Sequence, residues 1–365
     1  MEISQQFSIS ESLEDPRWDT FVAQNSNGYH IQTSQWAQVK RVMGWKPLRM
    51  MIEENGRIIA GAQLLIHDYP VIGNVAYVVR APLSLNNFEP NQSQFLFDRL
   101  LELGKSHNIH FFFIQPAMND TASQGLLEKM GFLPGSLEIS PSATIIIDTA
   151  LSEDHLLAKM HRQTRQNINR SVRENIEVRE GTVDDLRVFY DLYQSTAKRQ
   201  KFTPYPWHYF TRMWEVFGTK NQIGLVLTYF SGQPVSALLL VASGQIASAK
   251  LLGWSGAYPE KRPNDALFWN AIRWAKKHQY RYFDFDGINA QNAKEFLATG
   301  KIPEQAKGTP DFIKLGFGGE VALLNPTYWY SPNLILRKMF ATARPEIGKG
   351  NLASQVLEYF RKRNT

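Results

Sequence analysis

Cysteine is absent from all 365 residues. That removes disulfide frameworks, Cys-ligated zinc, iron–sulfur clusters and thiol nucleophiles together, and it fits a reducing compartment. Long apolar runs are missing too. The longest, Val235–Ala242, is interrupted by Ser236 and falls well short of the ~18 residues that span a bilayer. The opening residues Met1-Glu2-Ile3-Ser4 carry neither the basic start nor the apolar core of a signal peptide, so a soluble intracellular protein is expected. Histidine is sparse, with 8 residues and no HExxH spacing. His107 and His110 straddle a predicted helix–strand junction and read as surface groups rather than ligands, so no metal is expected.

What is present points to ordinary globular cores. Apolar residues make up 43% and charged residues 20%, and the 9 Trp, 14 Tyr and 22 Phe argue against disorder. The length is about twice that of a usual domain, so two domains are expected. Lys and Arg number 40 against 34 Asp and Glu, a net charge of +6. Spread over the chain, such a surplus is usually a solvated surface, and its position matters more than its total. Between Lys159 and Arg173 stand five cations (Lys159, Arg162, Arg165, Arg170 and Arg173) and no acid. Leu156, Met160, Thr164, Ile168 and Val172 recur every four residues as the buried stripe of a helix, with Arg162, Arg165, Asn169 and Arg173 on another face. Guanidinium forks beside Asn and Gln suit phosphate contacts; a solvated amphipathic helix is the competing reading.

Two stretches of the chain read alike. In the first, Met50–Glu53 meets the turn Asn55-Gly56, then a strand Arg57–Ile66, a strand Asn74–Val79, a helix from about Ser93 to His107, a strand His110–Gln115, and Lys129-Met130-Gly131-Phe132. In the second, Gly224–Phe230 meets Ser231-Gly232, then strands Pro234–Ala242 and Ile246–Gly253, a helix from about Asn264 to His278, a strand Tyr280–Asp286, and Lys314-Leu315-Gly316-Phe317. Gly in a two-residue turn between β-rich runs is a hairpin signal, and Leu267, Ala271, Trp274 and Ala275 share one helical face. The order strand–turn–strand–strand–helix–strand–helix resembles the GNAT acyltransferase fold. The expected class is α/β (α+β): tandem GNAT-like lobes, each a mixed sheet flanked by helices. The first lobe is expected over residues 1–150, closed by Ile145–Asp148; the second over 151–320, opening with the basic helix; and 321–365 packs back on the lobes.

The turn that cradles acetyl-CoA pyrophosphate in that fold, Gln/Arg-x-x-Gly-x-Gly/Ala, is missing from both repeats. Asn86-Asn87-Phe88-Glu89-Pro90 and Glu260-Lys261-Arg262-Pro263-Asn264 stand there instead. Gly253-Trp254-Ser255-Gly256-Ala257 lacks the last Gly of a nucleophile elbow and reads as a strand end. Gly316-Phe317-Gly318-Gly319 follows a helix and lacks the third Gly of a dinucleotide turn. Asp284 and Asp286, two apart on one strand face, are either a general acid/base pair or strand-end aspartates holding a nearby turn.

The sequence resembles the Fem (FemABX) family of peptidoglycan-bridge aminoacyltransferases over about residues 30–330. The landmarks are Gln32-Thr33-Ser34-Gln35-Trp36-Ala37-Gln38-Val39-Lys40 with Gly44-Trp45, and Tyr77-Val78-Val79-Arg80-Ala81-Pro82. The series continues with Arg162–Arg170, Tyr282-Phe283-Asp284-Phe285-Asp286-Gly287-Ile288, and Ile313-Lys314-Leu315-Gly316-Phe317-Gly318-Gly319. The resemblance implies transfer of an amino acid from aminoacyl-tRNA to the stem-peptide amine of a peptidoglycan precursor, lipid-linked or UDP-linked, without a cofactor. It explains the missing pyrophosphate turn. The coiled-coil arm of some members is absent after Pro204, as in compact members.

By the same resemblance Lys40 is expected to meet a precursor phosphate, and Arg80 sits at the family's Tyr-x-x-Arg-Gly-Pro strand end, with Ala81 replacing Gly. The family's acid is missing from Leu83-Ser84-Leu85-Asn86, and its arginine after Phe202 gives way to Pro204-Tyr205-Pro206. Lys314 is expected to stabilise charge near the tRNA terminus, with Asp284 or Asp286 orienting the amine, and Arg162, Arg165, Arg170 and Arg173 are expected to bind tRNA. Alternatives are an acyl-CoA N-acyltransferase on the same fold or a non-catalytic relative. A cytoplasmic monomer is expected. At the C-terminus, Leu334, Ile335, Leu336, Met339 and Phe340 cluster with Arg337, Lys338 and Arg344. They read either as a peripheral contact with the inner face of the cell membrane or as a helix packed on the second lobe.

Overall fold

The computed structural model describes residues 5–69, 73–85, 90–118, 120–135 and 139–342. They form two compact units, the first within residues 5–140 and 324–342, the second from 141–323.

The first unit runs β1 (Gln5–Ser10), α1 (Pro16–Gln24), α2 (Ser34–Arg41), β2 (Lys46–Glu54), β3 (Arg57–Tyr69), β4 (Gly73–Val79), β5 (Leu83–Ser84), α3 (Pro90–Ser106), β6 (Ile109–Gln115), α4 (Thr121–Lys129) and β7 (Leu133–Pro134). The second runs β8 (Ala143–Asp148), α5 (Glu153–Lys159), α6 (Arg162–Arg173), β9 (Glu177–Glu180), α7 (Leu186–Gln200), α8 (Trp207–Gly218), β10 (Ile223–Phe230), β11 (Gln233–Ser243), β12 (Ile246–Trp254), α9 (Pro263–Lys277), β13 (Tyr282–Asp284), α10 (Ala290–Thr299), α11 (Pro310–Gly316) and β14 (Glu320–Leu323). The chain then re-enters the first unit as β15 (Tyr328–Tyr330) and α12 (Leu334–Thr342).

The sheets have matching orders, β1-β2-β3-β4-β6-β15-β7 and β9-β10-β11-β12-β13-β8-β14. In each, four antiparallel strands meet a parallel partner, β4 with β6 and β12 with β13. The repeat turns are topologically equivalent. Asn55 (φ 52°) and Gly56 (φ 77°) join β2 to β3, and Ser231 (φ 50°) and Gly232 (φ 72°) join β10 to β11. Two successive left-handed residues match the twist of a tight hairpin, which is why Gly recurs there. Alternation along the strands fills one core per sheet. Leu96, Phe97 and Leu100 of α3 pack on Leu48, Met50, Ala62 and Leu64, and Leu267, Phe268, Ala271 and Ile272 of α9 pack on Val226, Leu238 and Leu240.

Four expectations are corrected. Ile145–Asp148 does not close the first lobe: it lies in β8, which pairs with β13 and β14 of the second sheet, so the division falls near residue 140. The C-terminal segment expected to pack back on the lobes from 321 begins at 324 instead. Val321–Leu323 belong to β14, and β15 inserts between β6 and β7. The strand following β7 thus joins the second sheet and the strand following β14 joins the first. The basic stretch is two helices, not one: Leu156 lies in α5, Met160 caps it in extended backbone (ψ 151°), and Val172 is 70% exposed while Ser171 is buried. The turn at Met160–His161 resets the helical phase, so a stripe counted through it misplaces Val172. Finally, the second repeat places two helices, α10 and α11, where the first has α4 alone.

Gly316 and Gly318 explain the Gly-Phe-Gly-Gly run physically. A Cβ at Gly316 would lie 2.1 Å from Thr164 Oγ1, and one at Gly318 (φ +73°) 2.0 Å from the Lys159 carbonyl. The glycines let the end of α11 reach the α5–α6 junction, where the His161 N–H donates to the Gly316 carbonyl at 2.9 Å.

Asp265, in the first turn of α9, is buried and accepts from the Asn167 amide of α6 at 3.0 Å. Burial raises its carboxyl to about 6. Folding therefore takes up a proton between about pH 4 and 6, and stability falls as pH rises through that window and stays lower above it. Asp265→Asn keeps an acceptor for Asn167 and removes the buried charge. Thermal melts are expected to show the variant gaining on the native protein from about pH 4 to 6, with a constant advantage of about 3 kcal/mol above.

Candidate active site

The two sheets differ at their parallel pair. In the first, β4 and β6 stay paired from Asn74 to Val79, and the Ala81 N–H donates to the Gln115 carbonyl at 3.2 Å beyond them. In the second, β12 and β13 pair only over Ile246–Ser248 and Tyr282–Asp284, then part. The chain after Asp284 stays with β8, through Phe285 N–H to the Ile145 carbonyl (3.0 Å) and Ile288 N–H to the Ala143 carbonyl (2.9 Å). β12 stays with β11, but Leu239 opposes Leu251 while Leu240 opposes Ala249. Lys250 is left unopposed in a bulge, a device that re-aims a side chain. Its ammonium crosses the opening to Asp286 Oδ2 at 2.8 Å.

Three of the residues singled out from sequence meet at this opening. Asp284 is wholly buried; its Oδ1 accepts from the Thr144 hydroxyl and from the Asp286 N–H at 2.8 Å. Asp286 is not beside it on one strand face, because β13 ends at Asp284 and Asp286 adopts left-handed backbone (φ 52°), followed by Gly287 (φ 118°). Such backbone persists where its surroundings over-determine it, often at functional sites. Lys314, on α11, supplies the restraint: its ammonium donates to the Phe285 carbonyl at 3.0 Å and the Gly287 carbonyl at 2.6 Å. Burial lowers the Lys314 ammonium below the ordinary lysine range, opposed by Asp286, Asp311 and Asp284. Tyr209 of α8 is buried nearby, and burial with Tyr205, Tyr193 and Asp286 raises its phenol well above the usual value. Lys250 and Tyr209 were not found from sequence. A lone lysine in an apolar strand carries no motif, and only its place in the bulge distinguishes it.

Lys40 and Arg80 lie in the first unit, Lys40 in the last turn of α2 and Arg80 directly after β4. The Lys40 ammonium sits 5.2 Å from the Trp45 ring centroid. Trp45 in turn contacts Tyr77 (4.8 Å) and His67 (5.1 Å). Arg80 is buried, in left-handed backbone (φ 53°), with its guanidinium 3.9 Å from the Tyr29 ring centroid. Gln32 ties this end to the sheet by donating to the Val79 carbonyl at 2.8 Å.

The four arginines of α6 do not act alike. Arg165 is partly buried and donates to the Leu157 carbonyl at 3.2 Å and to the Met160 carbonyl, which satisfies the end of α5. Arg170 pairs with Glu174 at 3.9 Å, and Glu174 also takes Lys261 at 2.8 Å. Arg162 and Arg173 are exposed. Arg170 and Arg173 line an open groove of about 740 Å³ with Gln163, Gln166 and Asn169.

Of the C-terminal cluster, Leu334 and Ile335 are 67% and 70% exposed, while Leu336 packs against the first unit's Phe111, Phe113 and Trp329. The side chains of Met339 and Phe340, and Arg344, lie outside the described residues, as do Asn86–Glu89. Among the described residues no helix is long and apolar enough to cross a membrane, and no group of three His, Asp or Glu is placed to hold a metal ion.

Two such units on one chain define a tandem GNAT-fold protein, and the comparisons agree. The model for acetyltransferase (GNAT) domains matches residues 159–295, and that for the FemAB family matches residues 13–130. The chain is thus similar to the FemAB family over its first repeat and to GNAT domains over its second. A lipid II:glycine glycyltransferase of Staphylococcus epidermidis is 25% identical over 236 residues, 61% of this chain and 56% of that protein. The chain thus spans about half the length of the curated relatives it matches. A crystal structure of FemX superposes with a TM-score of 0.75 at 17% identity, covering 92% of this chain and 99% of that one. A tandem GNAT protein from the clavulanic acid biosynthesis pathway gives 0.55 at 10% identity, covering 90% and 99%.

Proposed function

We propose that the protein is an aminoacyltransferase that passes an amino acid from aminoacyl-tRNA to the stem-peptide amine of a peptidoglycan precursor. The observation that carries the reading is the parted β12/β13 pair, bridged by Lys250 and Asp286, in a chain similar to the FemAB family. Its relative is named for glycyl transfer to lipid II.

The reaction is aminolysis of an ester. A neutral amine attacks the aminoacyl carbonyl, a tetrahedral oxyanion forms, and the ribose oxygen leaves with a proton. The ester is already activated, so the chain's task is orientation, a proton path and positive charge at the oxyanion. Asp286 holds the incoming amine, Lys250 and Lys314 supply positive charge, and Asp284 fixes the backbone of Asp286. In the first unit Lys40 and Arg80 take the precursor's phosphates and carboxylates. Exposed Leu334 and Ile335 beside Arg337 and Lys338 suit peripheral contact with an anionic membrane carrying a lipid-linked acceptor.

Arg162 and Arg173, with Arg170, contact tRNA phosphates. Removing Arg162 and Arg173 is expected to lower the slope of log affinity against log salt by roughly 0.7–0.9 for each contact without changing tRNA preference. Arg165→Ala is expected instead to lower the melting temperature, because it uncaps α5. Filter binding across a salt series, with melts, separates the two.

The test of the function is transfer of radiolabelled amino acid from charged tRNA to UDP-linked and lipid-linked precursors, run beside acyl-CoA donors. Transfer from acyl-CoA alone, or from neither donor, would refute the reading.

A further inference from the structure

The second sheet ends, where β10 and β12 finish, in a surface outside the Lys250–Asp286 opening. Phe230 closes β10 and Trp254 closes β12. Phe230 lies 4.8 Å from Tyr258, which is 38% exposed. Cations sit on two of the rings: Arg199 lies 4.6 Å from the Trp254 centroid and donates to the Trp254 carbonyl at 2.9 Å, and Lys261 lies 4.5 Å from that of Phe230. Residues 198–202 and 254–262 together hold five cations (Lys198, Arg199, Lys201, Lys261 and Arg262) and one acid, Glu260.

The loop that carries Tyr258 is held firmly. Tyr258 (φ 54°) and Arg262 (φ 60°) are both left-handed, a strain that persists only under restraint. The Trp254 indole N–H donates to the Ala257 carbonyl at 3.2 Å, and Lys261 is tied to Glu174 of α6 at 2.8 Å. The exposed Tyr258 ring and the half-buried Phe230 and Trp254 rings are thus presented in fixed positions, interleaved with cations.

We propose that this surface is the platform for the unpaired 3′ end of an RNA, a deepening that rests on the aminoacyl-tRNA reading. Bases of a single strand stack on aromatic faces while cations track its phosphates. A duplex keeps its base faces stacked inside and offers these rings nothing. Trp254 lies four residues beyond Lys250 on the same strand, roughly 13 Å at strand rise, so the opening is within reach of an end lying on the platform. A membrane interface is the less fitting occupant, since the exposed ring, Tyr258, is bordered by half-buried rings that already carry cations.

The test is fluorescence anisotropy on the full chain with a short labelled single-stranded RNA ending in CCA, a duplex of the same sequence, and vesicles containing phosphatidylglycerol. Tyr258→Ala and Phe230→Ala are each expected to weaken single-strand binding about 5- to 100-fold, and Tyr258→Phe to keep it within about twofold. Arg199→Gln should lower the single-strand salt slope by about 0.7. Duplex binding should be unmoved. Native-like single-strand affinity in both alanine variants overturns the platform, as does an equal loss for duplex, or vesicle binding that depends on these residues while RNA binding does not. The RNA is uncharged and no acceptor is present, so the outcomes separate. A native protein that transfers from charged tRNA but ignores the ring substitutions refutes the platform alone. One that binds through the rings but transfers nothing refutes the transfer reading alone.

Discussion

Lys314→Ala is expected to lower turnover by about 10²–10³-fold, the scale for losing one donor to a developing oxyanion, while tRNA and precursor affinities are kept. Lys129→Ala, at the matching place in the first repeat, should be nearly silent. The physical difference lies in what each ammonium meets. Lys129 is exposed in the last turn of α4, where a cation beside a helix C-terminus contributes about 0.3–1 kcal/mol. Lys314 instead reaches the carbonyls of Phe285 and Gly287, one on each side of Asp286. Two N–H groups of its ammonium hold that turn, and in the proposed reaction a third donates to the oxyanion.

Stability and chemistry are separable by pH. Burial lowers the Lys314 ammonium, so its charge is lost at a lower pH than that of an ordinary lysine. An alkaline fall in turnover should appear early in the native protein. It should move to higher pH in Lys314→Arg, whose guanidinium stays charged. Equal, modest losses at Lys129 and Lys314, recovering at lower temperature, would leave Lys314 a purely structural clamp.

Asp286→Asn is expected to cost about 10²-fold or more in turnover, and Asp284→Asn less than about tenfold. The substitution at Asp286 is clean because Asn tolerates left-handed backbone, so φ 52° survives while the charge opposite Lys250 is lost. At position 284 an amide oxygen still accepts from Thr144 and from the Asp286 N–H, so the turn should hold. Lys250→Met should match Asp286→Asn, and the double variant should be little worse than either, since paired groups that act together are not additive. Single-turnover transfer at saturating tRNA, with the acceptor varied, measures this. Additive losses would mean that Lys250 and Asp286 serve separate steps.

Periodicity carried far because the repeated pattern is local. Hairpin glycines, alternating strands and an amphipathic helix in each half specify the same order twice, and the two helices predicted at Ser93–His107 and Asn264–His278 are α3 and α9 within a residue or a few. Lys314, Asp284 and Asp286 were legible because they stand in short motifs resembling those of a family. The separate tasks of the α6 arginines were not. Whether Arg165 meets a phosphate or the end of α5 depends on a turn at Met160 that the four-residue spacing passes over.

The sequence by itself determined the class: two α/β repeats without the pyrophosphate turn, a basic linker, and the side chains available for chemistry. Only the tertiary structure decided which sheet receives each strand and which repeat carries the opening. β8 and β15 are short apolar runs that would suit either sheet by composition. Their exchange is a matter of long-range pairing, in which backbone hydrogen bonds between distant residues carry no signature in either partner's sequence. The same holds for the bulge at Lys250 and the early parting of β12 from β13. Both arise from register between strands, and register places the charge of Lys250 within 2.8 Å of Asp286, two residues 36 positions apart in the chain.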